Sequence, residues 1–374
     1  MSLERLIIPE DISELKEESS QQIFGIQSQV KLEALKVRFD VALQALIDKY
    51  PDLQTLLIRQ LKTPQVGDYH NEGPTMYAHL LLIFKTLEDL VMGRFHPSVV
   101  HPGVRQILSK MVDDSVSVNV DFLEYMFLHD LSKLDCLILT LKGHEEKLEV
   151  SYDDWAQNSS GDSDFTYNGV EVESIGYFHR SKGSDGMHGN HAVEKLRAMN
   201  LGVSDNILSA IAKHEVAYQF SNISARSYIN HIVDAGFDEE QQNFILVASY
   251  IDTMASLREN MQPDLTNFLN LYFSRLNYET IARFQRSNPS VRENKINQFY
   301  NSDKIVSVDN LMKLLPKNYS PSQLTQLQVL LEQTGRFSLE EVDMIVSQVK
   351  DDESKLGRLI GKKMKFVKPI LDKI

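Results

Sequence analysis

Apolar residues recur at intervals of three and four along most of the chain, the spacing that lines one face of an α-helix. Between Gln21 and Leu61 the repeat runs through Leu32, Leu35, Phe39, Ala42 and Leu46, with Pro51 and the Thr63-Pro64 pair as interruptions. Residues 1 to about 65 therefore read as a helical N-terminal segment. From 66 to 262 the pattern predicts helices over Tyr77–Met92, Val120–Leu141, His191–Asn200, Ser204–Phe220 and Gln241–Glu259. Ser204 suits an N-cap, and Gly202 suits the stop of the helix before it. From 263 to 374 helical spacing resumes, bounded by Pro289, Pro316 and Pro321. One stretch breaks the rhythm: Leu148–Tyr152 and Phe165–Val172 alternate apolar and polar residues and flank the turn-prone Gln157–Asp164. This predicts a small β-hairpin inserted at about 144–186. The expected fold is mainly α, a helical bundle with that insertion and with helical extensions at both ends.

Composition narrows the class. The chain has 374 residues, 42% of them hydrophobic, and carries 39 Lys and Arg against 52 Asp and Glu, a formal charge of −13. That is enough material for two or three cored units and excludes a disordered chain. No apolar run approaches the roughly 18 residues of a membrane span. Met1–Glu18 is acidic and lacks the profile of a secretion signal, so the expectation is a cytoplasmic protein with no membrane contact. Cys136 is the single cysteine, so a metal would have to be held by His, Asp and Glu. The acidic balance argues against a protein that coats duplex nucleic acid. The last twenty residues depart from it: Lys355, Arg358, Lys362, Lys363, Lys365, Lys368 and Lys373 stand against Asp372 alone. Such a run reads as a solvated helix face, or as a nucleic-acid contact through 355–374.

The candidate chemistry lies in polar residues on apolar faces. His129 and Asp130 end the run from Phe122 to Leu128, where an unpartnered carboxylate would be expensive to bury. His79 shares a helix face with Ile83, Leu87 and Leu90, His214 shares one with Ile207 and Ile211, and Asp252 one with Ile245, Ala248 and Ala255. Singly, each reads as a hydrogen-bonded core residue. Together they place four burial penalties on four predicted helices, and one shared cation relieves them all. Imidazole and carboxylate without thiolate suit Mn, Mg, Fe, Co, Ni or Zn.

The order His79, then Leu128-His129-Asp130-Leu131-Ser132-Lys133, then Asp252 resembles the HD superfamily of metal-dependent phosphohydrolases, named for its H…HD…D ligands. Ser132 stands where glycine is usual. His188-Gly189-Asn190-His191 and Lys213-His214-Glu215 resemble the additional histidines of binuclear members, and the HD domains appended to bacterial CCA-adding enzymes show a similar order. The resemblance covers about 79 to 258. The nucleotidyltransferase head is absent, and Gly357–Lys363 is one residue short of a P-loop and lacks its Ser or Thr.

The resemblance implies an HD domain over 66–262 with two divalent ions. His79, His129, Asp130 and Asp252 would hold the first; His191 and His214, with Asp130 bridging, would hold the second. Asn190 looks like a cap, which favours His191 over His188 as ligand and leaves His188 for substrate. Asp130 and Lys133 would be catalytic, Lys133 touching a phosphate oxygen or orienting Asp130. Glu72 and His70 in the turn before His79, and His179, Arg180 and Lys182 in the loop before His188, are candidates for the substrate lip. The expected activity is hydrolysis of a phosphoester on a phosphorylated small molecule or a nucleic-acid end. The alternatives are a non-catalytic HD module that binds a nucleotide or a partner, and a di-iron oxygenase of HD type. A homo-oligomer is left open.

Overall fold

The computed structural model describes residues 29–68, 70–95, 104–105, 108, 116–161, 164–178, 187–221 and 223–287. The basic run at 355–374 and the lip residues His179, Arg180 and Lys182 lie outside them. Described residues up to 94, from 116 to 215 and from 239 to 264 form one compact unit; those from 95 to 108, 216 to 238 and 265 onward form a second.

The first unit is a helical bundle with an inserted sheet. Helix α1 (Gln29–Lys49) leads through a 3-10 turn (Pro51–Leu53) into α2 (Gln54–Leu61), followed by α3 (Met76–Val91) and α4 (Val116–Leu128). Proline begins the turn because its fixed φ suits a first helical position, where no N–H is needed. Phe39 of α1 is fully buried, its ring centroid 5.3 to 5.8 Å from those of Tyr77, Phe84 and Phe127, which locks α1 to α3 and α4. The α3 helix is apolar on nearly every side, as a central helix must be.

The expected helix over Val120–Leu141 is two elements. Helix α4 ends at Leu128, and the chain tightens through i→i+3 bonds, Leu131 N–H to Leu128 O, Lys133 N–H to Asp130 O and Asp135 N–H to Ser132 O. At Cys136 the backbone turns extended, with φ −147° and ψ 104°, and strand β1 (Leu137–Leu141) follows. The run Leu137-Ile138-Leu139 is apolar throughout, so periodicity alone could not separate a buried strand from a buried helix.

The predicted hairpin is part of a larger sheet. Strands β2 (Leu148–Val150), β3 (Ser159–Ser160), β4 (Thr166–Tyr167) and β5 (Val170–Gly176) join β1 in the antiparallel order β2-β1-β5-β4-β3. The first expected strand forms only over Leu148–Val150 and pairs with β1; the second, Phe165–Val172, is split by a turn into β4 and the start of β5, which pair with each other. Helix α5 (Tyr152–Asn158), capped by the Ser151 hydroxyl, which accepts the Asp154 N–H, takes up the end of the first expected strand and runs into the expected turn Gln157–Asp164, which also holds β3. The tight turn is Asn168-Gly169, with φ of 50° and 78°, joining β4 to β5. Trp155 stacks on Tyr167 and meets Phe165 edge-on, giving the sheet a core of its own. Ile175 N–H donates to Val66 O and the Tyr177 hydroxyl to Pro64 O, fixing the sheet to the loop after α2.

Helix α6 (His188–Ala198), α7 (Asp205–Lys213) and α9 (Glu239–Ala255) complete the unit; between the last two lie a 3-10 turn (His214–Gln219) and the short α8 (Ala225–Tyr228). Ser204 caps α7 as expected, accepting the Ile207 N–H. The chain first turns left-handed after α6 at Asn200, φ 53°, and only then at Gly202, φ 69°; asparagine tolerates that region. Helix α9 packs against α3 and α7, and α7 against α4 and α6. In the second unit α8 packs on α10 (Thr266–Ser287), where Asn270 and Asn277 donate to the Phe220 and Ile223 carbonyls.

Candidate metal centre

Four helices and one turn deliver the ligands. His79 comes from the middle of α3, His129 and Asp130 from the tight turn that follows α4, His188 from the first residue of α6, His214 from the end of α7 and Asp252 from the last turn of α9. All six are buried, with relative exposures from 0% for His129 to 6% for His188. The close approach of α6 to α7 rests on Gly189. A Cβ there would sit 2.3 Å from the Ile211 carbonyl oxygen and 3.0 Å from the His214 ring, so a side chain would force the helices and their histidines apart.

The ligand atoms form two triads, His79, His129 and Asp252 in one and Asp130, His188 and His214 in the other, each with its atoms within 4.8 Å of one another. In the first, His79 Nε2 lies 3.2 Å and His129 Nε2 3.8 Å from Asp252 Oδ1. In the second, Asp130 Oδ1 lies 3.0 Å from His188 Nε2 and 3.5 Å from His214 Nε2. Asp130 also joins the two: its Oδ2 is 3.1 Å from His129 Nε2 and 3.7 Å from His79 Nε2. One carboxylate thus presents one oxygen to each triad.

The outer nitrogens decide what the inner ones can do. The Nδ1–H of His129 donates to Met126 O at 2.9 Å, and that of His214 to Ile211 O at 2.7 Å; a carbonyl only accepts, so both protons are placed. His79 Nδ1 faces Glu72 Oε1 at 3.4 Å and His188 Nδ1 faces Glu215 Oε1 at 3.3 Å. In every neutral imidazole the Nε2 lone pair therefore points inward, the arrangement seen when outer carboxylates and carbonyls orient metal-binding histidines. It also sets acceptor against acceptor: His188 Nε2 and His214 Nε2 are 2.9 Å apart, and His129 Nε2 faces Asp130 Oδ2. Nε2 of His79 and His129 and both Asp130 oxygens are buried without a well-formed hydrogen bond. Protons or cations must relieve this repulsion. The residues fit a pair of divalent ions, and the two triads could hold them; ligand type leaves their identity open.

Without metal, protons take that place. Burial would lower the His79 imidazole, but Asp252 and Glu72 hold it up at about 9. Burial likewise opposes the charge on His214, and Asp130 and Glu215 raise it to about 9. For Asp252, burial is outweighed by His79 and His129, which bring it down to about 2. His129 goes the other way, lowered by its burial. Asp130, despite burial, is held well below the ordinary carboxylate range by His129 and Lys133.

Comparison with protein-family models, with curated proteins and with solved structures finds no match. The centre therefore rests on its own geometry.

Of the residues expected from sequence, His79, His129, Asp130, His214 and Asp252 converge. Two ligand assignments change. His188, expected at the substrate, is in the second triad, and His191, expected as a ligand, is outside it, its Nδ1 3.7 Å from Glu194 on its own helix. The reason is the helix start: Met187, not Asn190, is the cap, so His188 already stands on the first turn and faces α7. Glu72, expected at the mouth, is completely buried behind His79. Its carboxyl is depressed to about 2: burial would raise it, but His70 and His79 outweigh that. Lys133 is buried with Nζ 2.9 Å from Asp130 Oδ2 and 4.9 Å from the Tyr177 ring centroid, so of its two expected roles the contacts match holding Asp130. Sequence reasoning missed Glu215 and Tyr177. Glu215 follows His214 directly and was within reach of inspection; Tyr177 carried no signal, because only the folded sheet brings its ring within 6.2 and 6.4 Å of His70 and His188.

Proposed function

We propose that the chain is a metal-dependent phosphohydrolase of HD type, acting on a phosphoester of a small molecule or a nucleic-acid end. One observation carries the reading: two buried His/Asp triads are joined through Asp130, with the four imidazoles turning Nδ1 toward an outer carbonyl or carboxylate and Nε2 inward. The chain order of the ligands, histidine, His-Asp, two further histidines and aspartate, supports the HD assignment. No helix among the described residues is long and apolar enough to cross a membrane.

A bound pair of divalent ions would make water acidic enough to supply a nucleophile near neutral pH and would offset charge building on the phosphoryl oxygens. The protein's own part is positioning. Asp130 spans both triads, and Lys133 fixes the oxygen that faces the first of them. Met126 O and Ile211 O hold the Nδ1 side of His129 and His214, so neither ring has to flip to present Nε2. Glu215 and His70 beside the cluster have side chains 25% and 20% exposed, so both reach solvent.

The test is a turnover assay with Mn, Mg, Co and Fe against a generic phosphodiester, a phosphomonoester and a nucleotide panel. Asp130→Ala is expected to lose bound metal and turnover while keeping its helical circular dichroism. Absence of turnover with every metal, or a variant with unchanged metal content and rate, overturns the proposal.

A further inference from the structure

The turn before α3 does more than lead into a ligand helix. Glu72 has 0% relative exposure, and its carboxylate faces His79, His70 and the Leu257 backbone. Its Oε1 is 3.4 Å from His79 Nδ1 and 3.2 Å from His70 Nδ1. Its Oε2 accepts the Leu257 N–H at 3.2 Å. Leu257 lies five residues beyond Asp252, in the chain leaving α9, and is gripped on its other side too: the Asn71 backbone N–H donates to Leu257 O at 3.1 Å. Asp252 itself is tied to this exit by its carbonyl, which accepts the Ser256 N–H at 3.0 Å. One buried carboxylate thus touches a ligand from α3 and the backbone that carries a ligand from α9.

We infer that Glu72 is the positioning residue of the first triad, aligning His79 Nε2 and Asp252 Oδ1 on a common ion while leaving the second triad to its own support, Glu215. This rests on the metal reading above. A carboxylate suits the task because each oxygen has lone pairs for separate donors, and its charge raises the basicity of the imidazole it faces. Glutamine cannot replace it in full: with its carbonyl oxygen on the histidines, its NH2 would meet the Leu257 N–H, donor against donor. The chain divides the work between two carboxylates, Glu72 behind His79 and Glu215 behind His188.

The test is metal binding by the full-length chain, titrated with Mn2+ and with Co2+ alone, following calorimetric affinities and the visible spectrum of the Co2+ form. Glu72→Gln is expected to bind one of the two ions roughly 10- to 100-fold more weakly, the usual range for loss of an outer partner, and to leave the other unchanged. Its Co2+ spectrum should change, as a general loss of stability would not make it do. Added to Asp252→Asn, which already breaks the first triad, it should have no further effect; added to His188→Ala it should weaken the ion that remains. If Glu72→Gln does not fold, Glu72→Asp keeps the charge but is too short to span both partners, and should give the same one-site loss. Wild-type affinities for both ions in these variants, or equal weakening of both ions, overturns the inference alone. A wild-type chain that binds no divalent ion overturns the metal reading and this inference with it.

Discussion

At the scale of single residues the centre is governed by what its charges do without a cation. Asp130 and Asp252 are buried beside four imidazoles, and the arrangement is stable only with protons or metal between acceptors that would otherwise repel. Folded His79 and His214 hold their protons up to about 9, above the ordinary 6.5. They therefore stabilise the metal-free fold fully below about pH 6.5, and that contribution is lost as pH rises through 9. His129, depressed by burial, acts in the opposite sense and subtracts stability below its ordinary value. Glu72 and Asp252, held near 2, contribute above their ordinary values of 4.5 and 3.8 and lose this as pH falls through 2. The metal-free chain should thus melt at its highest temperature between about pH 4.5 and 6.5. Divalent ions compete with the imidazole protons, so the rise in melting temperature on adding Mn2+ should grow from pH 6 to pH 9. Thermal scans of chelated and metal-loaded protein across that range check both trends; a metal-induced shift that shrinks with pH would contradict them.

At the scale of elements, ligand positions follow from where helices start, stop and touch. Helix α4 stops at Leu128, and its tightened exit turns His129 and Asp130 inward on successive residues, while the i→i+3 geometry brings Lys133 back over Asp130. Helix α6 starts at His188, and Gly189 lets it lie against the end of α7. Gly189→Ala is the smallest change that tests this contact. Its Cβ would overlap the Ile211 carbonyl, which belongs to a helix backbone and cannot swing aside, so the expected cost is about 1 to 3 kcal/mol of stability. Urea unfolding of metal-free protein measures that cost. Metal titration should show the ion of the second triad weakened more than that of the first. Unchanged stability would mean the helices separate freely and that the glycine is incidental.

At the scale of the whole molecule, the net charge of −13 sets the background against which the basic run at 355–374 stands out. That run lies outside the described residues, and its role is tested by deletion. If the substrate is a nucleic-acid end, removing 355–374 should weaken nucleic-acid binding more at low salt than at high salt, because counterion release is lost with the charges. Binding isotherms at two ionic strengths decide this; an effect independent of salt would point to packing or self-association.

How far the sequence reached follows from the range of the forces involved. Apolar spacing marked the helices, Ser204 announced its cap, and the burial of His79, His129, Asp130, His214 and Asp252 followed from the apolar faces on which they stand. Those are local properties, written within a few turns of chain. Whether Leu137–Leu141 is helix or strand, which strand pairs with Leu148–Val150, whether His188 or His191 meets His214, and where Glu72 and Tyr177 end up were settled by contacts across tens to hundreds of residues. An apolar run does not encode its partner, and a histidine pair three residues apart does not encode which member faces the neighbouring helix until the helix start is fixed. The sequence alone determined which residues would be too costly to bury unpaired; packing alone decided which of them share one point in space.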